Sequence, residues 1–429
     1  MTRDPARFFR FPTGPVLLLS LLAAVPAQAT PSGLFGVGPR STALAGGGTS
    51  LPLGSAATLV NPAELAQSEH RTLDFGLRDT RFSLSYDTRQ GAVPSDAELA
   101  KAVTLGVVAP LLTPNPHGFR AALGLFAETP PDYLVRAHAP FPEDPNFPLV
   151  VDRAGALDLG LGLGLGYQQF SLGFGVEVLA ALRGQQSVGA SAAPSGVGTE
   201  LFPAWAPVLG FAADLGEIGQ LGIAFRSVLR ADFEVQVPAP KLADVIEIAP
   251  LNVSGIAHYE PLKLDAEWSR AFGAWRLVLG ARYERWSAFP GSVGPTIDCP
   301  EGVTCGTPDP PKPGYSDVIV PRVGVEASID AAPVALTLRG GYALVPTPVP
   351  EQKGFANAFD ATRHGLALGY RVGFEPLGLP LGIEGALRLD LLAPRTHEKA
   401  GAAALGPLGP EVTTHGHVLT WVFGIGVPL

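Results

Sequence analysis

Charged residues, and lysine in particular, are scarce in this chain of 429 residues. Asp, Glu, Lys and Arg together make up 16% of the sequence, and only six residues are lysine and one is methionine. Soluble domains carry about 25% charged residues, so a soluble mixed α/β enzyme is a poor match. The net charge of −9 argues against a nucleic-acid partner, which requires a basic face. The mean hydropathy of +0.24 is too high for a disordered chain.

Long hydrophobic runs are also lacking, apart from one near the N-terminus. Residues 15–25 are apolar, three arginines precede them, and Ala-Gln-Ala follows at 27–29. A basic segment, a short apolar core and an A-x-A site are typical of a cleaved signal peptide, here 1–29. The alternative, an N-terminal anchor helix, is disfavoured because a membrane span takes about 20 apolar residues. We therefore expect an exported protein that can enter a membrane only as β-structure.

Cysteine is limited to Cys299 and Cys305, which lie in a polar stretch rich in Pro and Gly. In an oxidising compartment this spacing predicts a small loop closed by a disulfide. Two free thiols remain the alternative. A metal site would need further ligands, and none lie nearby in the sequence.

The body of the chain alternates between apolar and small or polar residues with a period of two. In 157–167 the odd positions are Leu or Tyr and the even positions are Asp or Gly, which is the signature of a β-strand. Long and short connections alternate strictly, as in an up-and-down membrane barrel, whereas a Greek-key sandwich would not sort its loops in this way. The fourteen predicted strands are 71–86, 103–111, 118–127, 155–167, 169–183, 204–214, 219–231, 259–271, 274–287, 317–329, 333–343, 361–374, 380–392 and 417–428.

The polar positions of these strands carry charges of both signs. In a membrane barrel this alternation places the apolar residues against lipid and the charges in the lumen. Aromatic residues near strand ends are expected at the membrane interfaces, and these are Trp205, Trp268, Trp275, Trp286, Trp421, Tyr283 and Tyr342. The candidate lumenal contacts are Arg276, Arg282, Glu284, Arg322, Glu326, Arg339, Glu384 and Arg388.

Residues 30–66 differ from the rest, because they are rich in small residues, nearly uncharged and without alternation. Here the chain resembles the FadL-type outer-membrane transporters of long-chain fatty acids and their toluene- and xylene-transporting relatives. The resemblance rests on the pattern G-x-R-S-x-A-x-A-G at 38–46, on Asn-Pro-Ala at 61–63 and on W-S-x-F at 286–289. Three further segments follow in order, at 338–342, 346–350 and 360–370.

The resemblance implies an all-β protein, a 14-stranded antiparallel transmembrane β-barrel (67–429) with an N-terminal hatch, or plug (30–66), inside the lumen. Gly54 departs from the acidic residue that the family usually has there, which predicts a missing hydrogen bond in the hatch. We further expect Arg40 to anchor the hatch to a lumenal carboxylate of Glu284, Glu326 or Glu384, because a confined guanidinium needs a paired acid. The candidate hatch and gating residues are Arg40, Ser41, Asn61, Pro62 and Ala63.

These features predict an outer-membrane transporter that takes up fatty acids or other hydrophobic compounds passively. The ligand would move from the external loops through an apolar lumenal pocket to a lateral opening gated by the hatch. The alternative is a general-diffusion or structural barrel, which would have no use for an apolar hatch. No motif of an enzyme appears, and we expect no cofactor and no metal. The expected partners are a fatty acid or hydrocarbon, outer-membrane lipid and lipopolysaccharide, with the protein a monomer.

Overall fold

Strands dominate the described part of the chain. The computed structural model describes residues 34–89, 91–95, 99–112, 118–131, 135–136, 145–150, 155–186, 197–237, 251–291, 293–297, 312–331, 334–374 and 381–429. None of the helices in these ranges is long and apolar enough to cross a membrane. The predicted leader, Cys299 and Cys305 lie outside the described residues, so the signal peptide and the disulfide stay predictions.

Fourteen strands of the described chain form one closed antiparallel barrel. Each strand pairs with the next along the chain, and the last pairs with the first from Thr72 opposite Pro428 onward, so the predicted fold class is confirmed. The strands are β1 (Thr72–Thr88), β2 (Ala100–Leu112), β3 (Phe119–Thr129), β4 (Asp158–Tyr167), β5 (Phe170–Gln186), β6 (Val197–Asp214), β7 (Gln220–Arg226), β8 (Lys263–Phe272), β9 (Trp275–Glu284), β10 (Val318–Ala331), β11 (Val334–Val345), β12 (Arg363–Phe374), β13 (Leu381–Glu398) and β14 (Glu411–Pro428).

The two faces of the strands differ as their sequence predicts. On β4, Leu161 is 52% exposed and points outward, whereas the flanking glycines face the lumen. The same alternation runs along β8, where Lys263, Asp265 and Glu267 are buried and Leu264 is exposed. An apolar outer face over a charged interior is the arrangement of a barrel in lipid.

Two predicted strands are interrupted on the external side. The strand predicted at 219–231 breaks after Arg226, and the one predicted at 259–271 breaks before Lys263. Beyond the breaks, Leu229–Val237 and Leu251–Glu260 form an antiparallel hairpin, whose first strand also pairs with β5 at Val235 and Gln236. Pro261 lacks the N–H that would continue the ladder. Buried Leu229 and Ala231 of the hairpin pack together with Leu179 of β5 and with Ala204 and Ala206 of β6, so the hairpin covers the lumenal face of those strands.

Two smaller expectations also need correction. The last strand begins at Glu411 rather than at the predicted residue 417. Trp286 was expected at the membrane interface, but it is buried in a 3₁₀ turn after β9. Its ring lies 6.0 Å from that of Tyr259 and 6.2 Å from that of Tyr315, so packing under the external loops determines its position.

Short helices form the hatch inside the barrel. They are α1 (Gly38–Ala43), α2 (Ala57–Val60) and two 3₁₀ segments, Gly54–Ala56 and Pro62–Gln67. The second 3₁₀ segment starts with a cap, because the Asn61 side chain accepts from the Ala63 N–H and proline takes the first position. These elements are buried against the lumenal faces of the surrounding strands.

Lumenal glycines of the wall make room for this backbone. A Cβ on Gly173 would lie 2.0 Å from the Ala63 nitrogen, and one on Gly222 would lie 2.0 Å from the Thr49 carbonyl oxygen. Both distances are far inside van der Waals contact. The glycines that alternate with leucine in the sequence therefore mark positions at which the hatch contacts the wall.

We predict that Gly173→Val displaces the hatch, because the new side chain would occupy the space of the Ala63 backbone. Overpacking should cost about 3 kcal/mol, seen as faster proteolysis of the hatch and a lower unfolding temperature of the purified barrel. Gly340→Val is the control, because Gly340 is on β11 and a Cβ there would make only ordinary contacts, with Leu368 at 3.6 Å and the Ala367 carbonyl oxygen at 3.8 Å. Equal behaviour of the two variants would contradict the close packing.

Candidate functional site

Arg40 of α1 joins the hatch to the wall of the barrel. Its Nε donates to Oε1 of Glu326 at 2.7 Å and its Nη2 donates to Oε2 at 2.6 Å. Nη1 donates to the Pro52 carbonyl oxygen at 2.6 Å. Of the three carboxylates considered from the sequence, Glu326 is therefore the partner of Arg40 in the structure. A two-pronged contact of this kind is among the stronger charge-assisted hydrogen bonds.

The same carboxylate is shared with other strands. Arg339 of β11 donates to Glu326 at 3.0 Å and to Glu384 of β13 at 2.7 Å. Arg276 of β9 lies 3.8 Å from Glu326, and Arg371 of β12 lies 3.6 Å from Glu384. Together with Arg40 these residues form a chain of alternating charges across the lumen, on the side where β1 begins and β14 ends. We call this chain the lower network.

Higher in the lumen, a second carboxylate holds the hatch loop after α1. Glu267 of β8 accepts from the backbone N–H groups of Gly48 at 2.8 Å and Ser50 at 2.9 Å, and from the Ser50 hydroxyl at 2.9 Å. Arg322 donates to the Gly46 carbonyl at 2.7 Å and to Asp265 at 2.6 Å. The loop is thus held through both its N–H and its carbonyl groups.

Asn61 has a structural position at the centre of the hatch. Its amide donates to the carbonyl oxygens of Thr49 at 2.7 Å and Phe211 of β6 at 3.1 Å. Pro62 and Ala63 lie against Gly173, and Ser41 is buried in α1. The hatch motif residues therefore pack against each other and the wall; their part in gating stays a proposal.

Two arginine contacts were not anticipated from the sequence. Arg78 of β1 donates to the Gly36 carbonyl at 2.6 Å and pairs with Glu128 at 3.2 Å. Arg226 of β7 donates to the Leu59 carbonyl and pairs with Glu177 at 3.1 Å. In the sequence, the only indication of these contacts was that each arginine falls on a lumen-facing position of a strand whose other face is apolar.

The hydrogen bond expected to be missing at Gly54 comes from the wall instead. Asp74 of β1 accepts from the Ser55 N–H at 3.0 Å. A Cβ on Gly54 would lie 3.0 Å from the Asp74 carboxylate, and Gly54 has a φ of +61° that favours glycine. An acidic side chain at position 54 would crowd the Asp74 carboxylate, which here supplies the hydrogen bond instead.

A small pocket of about 40 Å³ lies above the hatch on the external side. Its apolar lining includes Leu34, Leu149, Trp286 and Val345. Its polar lining is mostly cationic and comprises Lys263, Arg282, Arg322, Arg363, Arg388 and Glu284.

Several of these cations already have partners. Arg388 donates to both oxygens of Asp390 at 2.8 Å, and Arg282 donates to Asp265 at 2.9 Å. Glu284 accepts from the Trp286 indole at 2.8 Å. Lys263 donates to Glu260, so the pocket combines apolar walls with a floor of paired charges.

Glu64 is a titratable group buried within the hatch. Burial, and secondarily the negative charge of Glu267, raise the pKa of Glu64 to about 8. One of its oxygens accepts from Gln67 at 2.6 Å. At neutral pH this carboxyl is therefore mainly protonated in the docked hatch.

No group of three or more potential metal ligands occurs within the described ranges. His415 of β14 lies within hydrogen-bonding distance of Ser85 and 3.2 Å from Asp87.

The architecture defines a class: a closed 14-stranded barrel whose lumen holds a short helical hatch. No protein-family model and no curated protein matches the chain. Solved structures with the same fold include a FadL homologue from Pseudomonas aeruginosa, with a TM-score of 0.58, 17% identity and coverage of 94% of this chain and 98% of the homologue. The toluene transporter TodX of P. putida has a TM-score of 0.56 at 15% identity, covering 92% and 99% of the two chains.

The toluene transporter TbuX of Ralstonia pickettii is similar to the same extent, with a TM-score of 0.54, 16% identity and coverage of 92% and 99%. The fold of this chain is therefore that of the FadL and toluene-transporter structures, as the sequence motifs implied.

We predict that Arg40→Ala loosens the hatch, because Glu326 loses the guanidinium that fixes α1. Breaking a largely buried ion pair costs about 3 kcal/mol, and the remaining contacts of the hatch keep it in the barrel. Single-channel recordings in planar bilayers should show more frequent openings to a water-filled state. Arg270→Ala removes an arginine that lies beside Phe272 and should leave conductance unchanged; identical recordings from both variants would contradict the anchor.

A pH dependence follows from Glu64. Because its pKa is raised in the docked hatch, docking is stabilised below the unfolded pKa of about 4.5 and weakens as pH rises to about 8. Hydrogen exchange of the hatch amides should therefore accelerate, beyond its intrinsic pH dependence, between pH 5 and pH 8. Glu64→Gln should remove this extra dependence, whereas Glu69→Gln, at an exposed position, should retain it. An unchanged profile in Glu64→Gln would show that another group is responsible.

Proposed function

We propose that this protein is an outer-membrane channel that takes up hydrophobic compounds passively, as a monomer and without a chemical step. The fold supports this proposal, because closed barrels are the form in which strands cross the bacterial outer membrane. The solved structures with the same fold include transporters of toluene. The leader predicted at 1–29 would direct the chain to that membrane.

The observation that carries the proposal is the occupied lumen. Arg40, Glu267 and Asn61 bind the hatch to at least three different strands, namely β10, β8 and β6. A general-diffusion porin needs an open aqueous lumen, and a segment fixed in this way obstructs one. The geometry therefore favours a ligand-selective channel over the porin alternative.

The pocket above the hatch supports a particular ligand chemistry. Trp286, Val345 and Leu149 offer apolar contact, and Arg363 lies on the polar side of the pocket, where Lys263 is already bound to Glu260. A long-chain fatty acid combines an apolar chain with a carboxylate and would satisfy both. At about 40 Å³ the pocket is well below the 300 Å³ or more typical of ligand sites, so binding would require the hatch or the loops to move.

We place the lateral opening beside β7. This strand is 7 residues long, and its pairing with β6 ends at Arg226 opposite Val208. Just beyond, Ser227 donates its N–H to Pro207 and the chain turns over the lumen. Pro203 and Pro207 are four residues apart in β6, so their nitrogens face the same neighbouring strand. Proline has no N–H to donate, and both residues therefore suit an edge with few hydrogen bonds between strands.

The test is removal of the hatch. Deleting residues 34–60 should raise single-channel conductance in planar bilayers and sensitise cells to large hydrophilic antibiotics, because the lumen opens to water. Uptake of radiolabelled oleate by cells should lose its saturation, since the pocket above the hatch loses its floor. A folded deletion variant with unchanged conductance and saturable oleate uptake would contradict the proposal.

A further inference from the structure

Two cavities adjoin beneath the hatch, at the end of the barrel where β1 begins and β14 ends. One has a volume of about 200 Å³ and lies between the hatch and β1, β13 and β14. Val37, Pro39 and Leu53 of the hatch line it. The other is a polar groove of about 200 Å³. Arg40 and Arg371 line both cavities, so the mainly apolar cavity adjoins the cationic groove at these two residues.

The apolar cavity exists because the hatch does not fill the space over two wall glycines. Gly382 and Gly426 are directly paired across β13 and β14. A Cβ on Gly382 would first meet Arg371 at 3.2 Å, and one on Gly426 would meet Asp74 at 3.1 Å. At Gly173, in contrast, a Cβ would collide with the hatch backbone. The hatch therefore leaves Gly382 and Gly426 uncovered, and the side chains of Arg371 and Asp74 flank the cavity beside them.

The groove has an excess of positive charge. Among its described residues, Arg40 and Arg339 are both bound to Glu326, and Arg339 also binds Glu384. Arg276 donates to Gln220 at 2.8 Å. Four guanidinium groups thus share two carboxylates in the lower network.

Arg371 is the guanidinium most accessible to a ligand. Its side chain is 50% exposed and lies 3.6 Å from Glu384, which is longer than a hydrogen bond. The third nearby acid, Asp74, already accepts from the Ser55 N–H on the side of the apolar cavity. A carboxylate could therefore approach Arg371 from the mouth of the barrel.

We propose that these two cavities form a binding site for an anionic amphiphile, a long-chain carboxylate whose headgroup binds Arg371. The alkyl chain lies against Val37, Leu53 and Phe126, which line the same cavity as Gly382 and Gly426. Together the cavities reach the lower part of the range for small-molecule sites, about 300–1,000 Å³. The site rests on the proposed function and adds to it, because it gives the same class of ligand a second place to bind, on the periplasmic side of the hatch and apart from the lateral route.

The test uses a photoreactive fatty acid with a diazirine in its alkyl chain and the full-length protein in lipid nanodiscs. Mass spectrometry of digested, cross-linked protein should find labels near Leu53, Gly382 and Gly426. A separate group of labels near Trp286 and Val345 would report the external pocket.

Two variants separate the apolar and the charged contributions. Gly426→Val fills the apolar cavity and should abolish the periplasmic labels only. Arg371→Gln should weaken periplasmic labelling about tenfold, as expected for loss of a charge-assisted hydrogen bond, and since this side chain is half exposed the variant should fold. The matched controls are Gly340→Val on β11 and Arg270→Gln beside Phe272, and both should be labelled like the wild type.

The methyl ester of the same probe provides a further check. It should label the apolar cavity equally in wild type and Arg371→Gln, because it has no charge to lose. Periplasmic labels that are absent, or that persist in Gly426→Val, would overturn the inference. If external labels and oleate uptake persisted in that case, the proposed function would stand and this site alone would fail.

Discussion

The structure depends on the need of an enclosed backbone for hydrogen-bond partners. Residues 34–67 lie within a closed wall, where unpaired N–H and carbonyl groups would cost free energy. The wall supplies charged partners: Glu267 accepts from the loop after α1, Arg322 and Arg78 donate to hatch carbonyls, and Asp74 accepts from Ser55. In a soluble protein such charged side chains would face solvent. Here they face the lumen and hold the hatch through hydrogen bonds.

Space is the second part of the same constraint. A backbone can lie against a strand only where the strand has no side chain, and Gly173, Gly210 and Gly222 provide such places. Where the hatch leaves glycines uncovered, as at Gly382 and Gly426, a cavity results. The close packing of the hatch and the cavity beside it thus follow from one distribution of glycine along the strands.

The fold could be predicted because its signals are local. A period of two fixes which residues share a face, so the apolar outer face and the charges on β8, β9 and β10 followed from the sequence. The alternation of loop lengths gave the order of the strands. The break after Arg226 could not be predicted, because it depends on the packing of Leu229 and Ala231 with Leu179, which is remote in sequence.

The ion pairs were harder to predict from the sequence than the strands, for a physical reason. Parity shows that Glu284, Glu326 and Glu384 share the lumen, but only register and the position of α1 decide which of them meets Arg40. Trp286 shows the limit of composition rules, because its position near a strand end suggested a membrane interface and tertiary packing buried it beside Tyr259. Arg78 and Arg226 were overlooked because a single charge on a strand does not reveal a backbone partner.

The gating role of the hatch is the central claim, and a reversible tether tests it directly. In a background with both native cysteines changed to serine, Ala43→Cys combined with Gly369→Cys tethers α1 to β12. A Cβ on Gly369 would lie 2.5 Å from that of Ala43, so the two must move apart by about 1 Å to reach the separation found in disulfides. A second tether, Ala66→Cys with Gly166→Cys at 3.3 Å, fixes only the base of the hatch. The account predicts that oxidising the first tether stops oleate uptake, that reduction restores it, and that the second tether has little effect. Wild-type uptake with the first tether closed would contradict gating by the hatch.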